Sequence, residues 1–214
     1  MSKIPPPFYE NFDDTHCFQC TFREILEYFE PDEVWDWQTW DEFTNKEPNK
    51  WTWPYRGRLN LLKRGYITHG VAISNISNYL KNGIYPELVK KLGTEAANKQ
   101  KEMADLNKVE ADIHEIIKHP SYIQEVRVPT IKDIKKFLNS NFLVSSILNS
   151  RTLNGKDGYI SHAVLIYDID DKFVYMHDSG LPPKPERKVP IETYIKASTT
   201  PTEAVWSITG YKKT

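Results

Sequence analysis

Cys17 is the residue of this chain with the most chemistry open to it, because a thiolate is both nucleophile and leaving group. Phe18, Phe22, Ile25, Leu26 and Phe29 recur on one stripe at a period of 3.6, which predicts a helix over residues 17–29. Asp13, Asp14 and Thr15 precede it as start signals, and Pro31 closes it. A helix N-terminus favours the thiolate form, and the backbone N–H there can hold a developing oxyanion. The competing role is that of a small buried side chain with no chemistry.

A nucleophilic thiol needs a base. His162 opens the apolar run Ala163-Val164-Leu165-Ile166-Tyr167, a strand that follows a loop from Gly155 to Gly158. The next apolar run, Phe173-Val174-Tyr175-Met176, ends in His177-Asp178. In a hairpin centred on residue 170, positions 162 and 178 are equidistant from the turn, so Asp178 is placed to orient the imidazole of His162. Other chemistry at Cys17 fits less well. The Cys17-Phe18-Gln19-Cys20 spacing suits a redox pair, but the strand expected before such a motif is replaced by Pro, Asn and Asp residues. At i+3 on a helix, Cys20 packs inward. His16, Cys17 and Cys20 lack a fourth metal ligand, and His114 and His119 are five apart, off a common helix face. No glycine-rich phosphate loop is present, so no metal or cofactor is expected.

The elements that must position these residues form a helical first half and a sheet-forming second half. Leu59, Leu61 and Leu62 suggest a short helix stopped at Gly65, with a strand at Tyr66-Ile67-Thr68. Residues 75–118 have helical texture, broken by Gly83, Pro86 and Gly93. Ile131, Ile134, Phe137 and Leu138 predict a further amphipathic helix. Strands are expected at 142–148, 162–167, 173–176 and 205–208, with prolines 182, 183, 185, 190 and 201 marking an exposed connection. Helices followed by an antiparallel sheet give an α+β class.

Composition sets outer bounds. The chain has 214 residues, 39% hydrophobic and 27% charged, which suits one globular domain and no fibrous or disordered polymer. A net charge of −1 argues against a nucleic-acid partner, and no run approaches the ~18 apolar residues of a membrane span. The N-terminus MSKIPPPFYE has no secretory character, so a cytoplasmic location with reduced thiols is expected. The small net charge hides a polarity. Residues 10–47 hold twelve acids against Arg23 and Lys46, a net −10, leaving +9 for the rest. That arrangement predicts a cationic or neutral substrate. Lys90, Lys91, Lys99 and Lys101 read as a solvated helix face.

Taken together, Asn11-Phe12-Asp13-Asp14-Thr15-His16-Cys17 before a helix, Ser161-His162-Ala163-Val164, and Tyr175-Met176-His177-Asp178 resemble the bacteriocin-processing peptidase family of papain-like cysteine peptidases. The similarity is to the stand-alone branch without a transporter, and the stretch from Trp51-Thr52-Trp53 to Gly65-Tyr66 resembles that branch's linker. The resemblance implies a papain-like α+β fold as a single domain over residues 1–214, with 75–118 as a helical insertion. It places Cys17 as nucleophile, His162 as base, Asp178 as orienting acid and Asn11, at the family's Gln position, as side-chain oxyanion donor. Trp35, Trp51 and Trp53 are the candidates for substrate-cleft walls. The family commonly has Gly after the Cys and before the His, and Pro after the Asp; this chain has Phe18, Ser161 and Ser179. The implied activity is acyl transfer on a peptide, amide or thioester. Water as acceptor makes a peptidase or amidase, and an amine makes an acyltransferase. A catalytically silent papain-like binding module is the third reading, carried by Phe18 and Asn11. Substrate identity and oligomeric state stay open.

Overall fold

The computed structural model describes residues 4–214. Helix α1 runs Cys17–Phe29, the span the apolar stripe predicts. It buries Phe22, Ile25 and Leu26 against Trp40, Leu143, Leu165 and Tyr211. Helix α2 (Trp37–Thr44) was hidden in the tryptophan-rich stretch. Its signal is Asp36, whose carboxylate accepts from Thr39 N at 2.8 Å as an N-cap. Helix α3 (Tyr55–Lys63) ends just before Gly65, at φ +86°, a conformation that costs glycine little. Gly57 of α3 faces Phe22 so closely that a Cβ there would lie 2.3 Å from the ring. Phe22 is fully buried and cannot withdraw. Gly57→Ala is therefore expected to lower stability by about 2 kcal/mol despite alanine's better helix propensity, measured by denaturant unfolding.

Strand β1 (Tyr66–Ala72) is followed by four helices: α4 (Ile76–Asn82), α5 (Ile84–Leu92), α6 (Thr94–Met103) and α7 (Leu106–Ile116). The breaks fall at Gly83, Gly93 and Ala104-Asp105. Pro86 does not break the chain, because it sits in the first turn of α5, where its missing N–H costs nothing. Ile84, Leu88, Ala97, Val109, Ile113 and Ile116 form a separate apolar cluster with Tyr55 and Leu62 of α3.

Strand β2 (Tyr122–Val126) then returns parallel to β1, which the sequence did not reveal. Next come α8 (Ile131–Asn139), β3 (Leu143–Asn149), α9 (Ser150–Leu153), β4 (Ser161–Ile169), β5 (Phe173–Asp178), β6 (Lys184–Pro190), α10 (Ile191–Thr199) and β7 (Ser207–Lys213). The seven-stranded sheet has the order β2-β1-β7-β3-β4-β5-β6. The class is α+β, but the sheet is mixed rather than antiparallel, and β1 from the helical half is built into it. The proline-rich connection proves ordered. It contributes β6, which tolerates Pro185 and Pro190 because it is an edge strand, and α10, which packs Tyr194 and Ala197 on the core. One face of the sheet is covered by α8 and α10 and the other by α1. Among the described residues, no helix is long and apolar enough to cross a membrane.

Candidate functional site

The N-terminus of α1 meets the rim of the sheet where β4 begins and β5 ends. Cys17 opens α1 as its first helical residue, and its amide has no hydrogen-bond partner among the described residues. The preceding loop is tied down by Asn11, which is 1% exposed. Its Oδ1 accepts from His16 N at 2.8 Å, and its own N–H donates to Ser179 O at 3.0 Å. Its Nδ2 is buried and has no hydrogen-bond partner among the described residues. Two donors, one backbone and one side-chain, are thus left without an acceptor beside the sulfur-bearing helix start. His16 is held on both ring nitrogens, by Asp13 at 2.6 Å and Asp41 at 3.0 Å.

His162 is 6% exposed and Asp178 4%. The Nε2 of His162 lies 2.8 Å from Asp178 Oδ1, and the Cys17 side chain also acts on the ring, favouring the imidazolium. With Nε2 engaged by the carboxylate, Nδ1 is the nitrogen left for the sulfur. Burial opposes the imidazolium, but the hydrogen bonds and charges of Asp178 and Cys17 outweigh it and push the His162 pKa up to about 10. Burial likewise works to raise the Asp178 carboxyl, yet hydrogen bonds and charge from His162 and Arg187 hold it well below the usual carboxylate range.

The geometry behind this pair differs from a hairpin centred on residue 170. The two-residue turn is Asp171-Lys172, with Asp170 N donating to Phe173 O at 3.0 Å. From that turn, an unbroken ladder would set Asp178 opposite Leu165, three residues from His162 and so on the other pleat face. A bulge at Tyr167 corrects this. Beyond it Leu165 pairs with His177, and the same register sets position 178 opposite 164, two residues from His162. The two side chains meet diagonally on one face, not side by side.

Sequence reasoning missed two neighbours. Arg187 on β6 places Nη1 2.5 Å from Asp178 Oδ2 and donates from Nη2 to Leu153 O at 2.8 Å. Gly180 donates its N–H to Asp178 Oδ1 at 3.1 Å, and a Cβ there would stand 3.2 Å from His162 Nε2. His177 takes no part. Its Nε2 meets Pro6 O at 2.8 Å, and its Nδ1 accepts from Glu186 N. Glu24, buried on α1, accepts from Tyr9 N at 3.1 Å; burial raises its carboxyl well above the ordinary range. Cys20 is fully buried, and burial raises its thiol. Both cysteines are free.

Cys17 and His162 open onto a cleft of about 350 Å³. Trp51 and Trp53 line it. Trp35 does not: it packs on Trp40 and Phe43 and donates from Nε1 to Glu33 at 2.9 Å.

Because His162 binds its proton more tightly in the folded chain than at its ordinary pKa near 6.5, its contribution to stability is complete below that pH. It is lost as pH rises toward about 10. The thermal midpoint is expected to fall across that window, and to fall less steeply in His162→Gln.

No protein-family model and no curated protein matches the chain. A solved structure from Bacillus anthracis, described provisionally as a C39-like peptidase, matches 40% of this chain at 23% identity and a TM-score of 0.31. This chain spans about half of that protein, 48% of its length.

Proposed function

We propose that the chain is a cysteine-dependent acyl-transfer enzyme of papain-like type, a peptidase or amidase in its hydrolytic form. The observation that carries the reading is that Cys17, half-buried, and the buried His162–Asp178 pair line one cleft, with Cys17 acting on the imidazole. The unpartnered Nδ2 of Asn11 and amide of Cys17 support it. In this reading the Cys17 thiolate attacks the carbonyl carbon of an amide or thioester, and the carbonyl electron pair moves to oxygen. The Cys17 N–H and Asn11 Nδ2 hold that oxyanion. Collapse breaks the bond to the leaving group, which takes the proton of the His162 imidazolium. Neutral His162 then removes a proton from water. The resulting hydroxide displaces sulfur from the acyl carbon, and thiolate and imidazolium are restored. An amine in place of water would make the same intermediate a transferase.

A generic acyl donor tests this without a known substrate. p-Nitrophenyl acetate is expected to give a burst of p-nitrophenol, about one equivalent per chain, with the acetyl group on Cys17 by peptide mass mapping. Acetylation scattered over surface lysines, with Cys17 unmodified, would contradict the reading.

A further inference from the structure

The cleft continues from Cys17 over β1 and β7 to the inner side of the helices between β1 and β2. Its lining includes Gly70, Thr209, Tyr55, Tyr122, Arg58 and Lys91. The last two are unusual. Arg58 is 6% exposed, and no carboxylate pairs with it among the described residues. Its Nε donates to Tyr211 Oη at 3.0 Å, and its guanidinium lies 5.8 Å from the Tyr55 ring centroid. The charged neighbours of most buried arginines are acids; here the groups that act on it are the phenols of Tyr211, Tyr122 and Tyr55. Both terminal amino groups lack a hydrogen-bond partner among the described residues. Lys91 on α5 is half-buried and makes no hydrogen bond or ion pair among the described residues. Burial alone pushes its pKa down to about 8, so the cost of holding that ammonium there is uncompensated within the chain.

Charge along the rest of the cleft has the same sign. Arg58, Lys91, Arg151 and Lys156 stand against Asp14 and Asp178, and Asp178 is already spent on His162 and Arg187. Of the twelve acids in residues 10–47, Asp14 alone reaches the lining. The acidic segment behind the expectation of a cationic or neutral substrate therefore lies mostly outside the cleft.

We infer that the cleft binds a carboxylate carried by the substrate, held by the free fork of Arg58 and by Lys91 between the rings of Tyr55 and Tyr122. A guanidinium with two open donors matches a carboxylate in two parallel hydrogen bonds, and the surrounding phenols and indoles exclude water from the pair. The site rests on the acyl-transfer reading only in that the reacting carbonyl would lie at Cys17. An acidic peptide or a dicarboxylic amide has the chemistry it selects.

The test uses alkylating probes in pairs: iodoacetyl-glycine, iodoacetyl-β-alanine and iodoacetyl-6-aminohexanoic acid, each beside its uncharged methylamide. The rate ratio of acid to amide at Cys17, taken at about pH 7.5, is read by mass spectrometry, and it is meaningful even for an ordinary slow thiol. For at least one chain length the carboxylate probe is expected to label about tenfold faster and to saturate, the effect of one charge-assisted contact. Arg58→Gln is expected to bring that ratio to about one, and Lys91→Gln to lower it about threefold. Lys91→Gln breaks no hydrogen bond or ion pair among the described residues, so it carries the test should Arg58→Gln not fold. Ratios near one at every length, or a high ratio that survives in the variants, would overturn the assignment. Loss of the acyl-transfer reading would show instead as slow labelling by acid and amide alike, with the ratio intact.

Discussion

Cys17→Ser is expected to lower acyl-transfer turnover by at least about a thousandfold while leaving the fold intact. The hydroxyl differs from the thiol by one atom, and position 17 is only half-buried, so packing changes little. What changes is the nucleophile. A hydroxyl does not give up its proton to an imidazole that already holds one, and the raised pKa of His162 keeps it protonated at neutral pH. The check is the turnover of p-nitrophenyl acetate by the two forms, beside their thermal midpoints. Equal turnover would place the chemistry elsewhere.

Arg187→Leu is expected to cost about 3 kcal/mol of stability and to lower turnover as well, because it strands a buried carboxylate. Asp178 Oδ2 faces Arg187, and the depressed pKa of Asp178 depends on both His162 and Arg187. A group held below its ordinary pKa stabilises the fold above its unfolded value, and that contribution disappears as pH falls through the folded one. The stability gap between wild type and variant should therefore be widest at neutral pH and narrow once the pH falls below about 4. Urea unfolding at neutral pH and near about pH 3 measures both effects, and Arg187→Lys should lose less stability than Arg187→Leu.

The sequence made part of this site legible because local periodicity was strong. The apolar stripe of α1 set the ends of that helix, and with them the position of Cys17. His162 and Asp178 were found from strand ends, yet their true relation depends on the Tyr167 bulge, an extra residue that alternation of apolar positions does not reveal. Arg187 was hidden for a different reason. It lies among prolines that read as an exposed connection, and only the pairing of β6 with β5 brings it to Asp178. Lys91 was grouped with Lys90 as one wet face, but consecutive helical residues point about 100° apart, so one can be exposed while the other faces a cleft. Nothing local in the sequence separates Trp35 from Trp51 and Trp53, but Trp35 packs half-buried on Trp40 and Phe43 of α2 and does not line the cleft. Local pattern found the elements; register and helix rotation decided which side chains meet.

The most direct measurement for the central claim, that His162 activates Cys17, is the rate of Cys17 alkylation by iodoacetamide from about pH 5 to 9 in the wild type and in His162→Ala. At about pH 6, an ordinary thiol of pKa about 8.5 is mostly protonated and reacts slowly. The expected result is fast labelling of Cys17 at that pH, well ahead of buried Cys20, falling at least about tenfold in His162→Ala. Cys17 labelling at the ordinary-thiol rate at about pH 6, unchanged in His162→Ala, would contradict it.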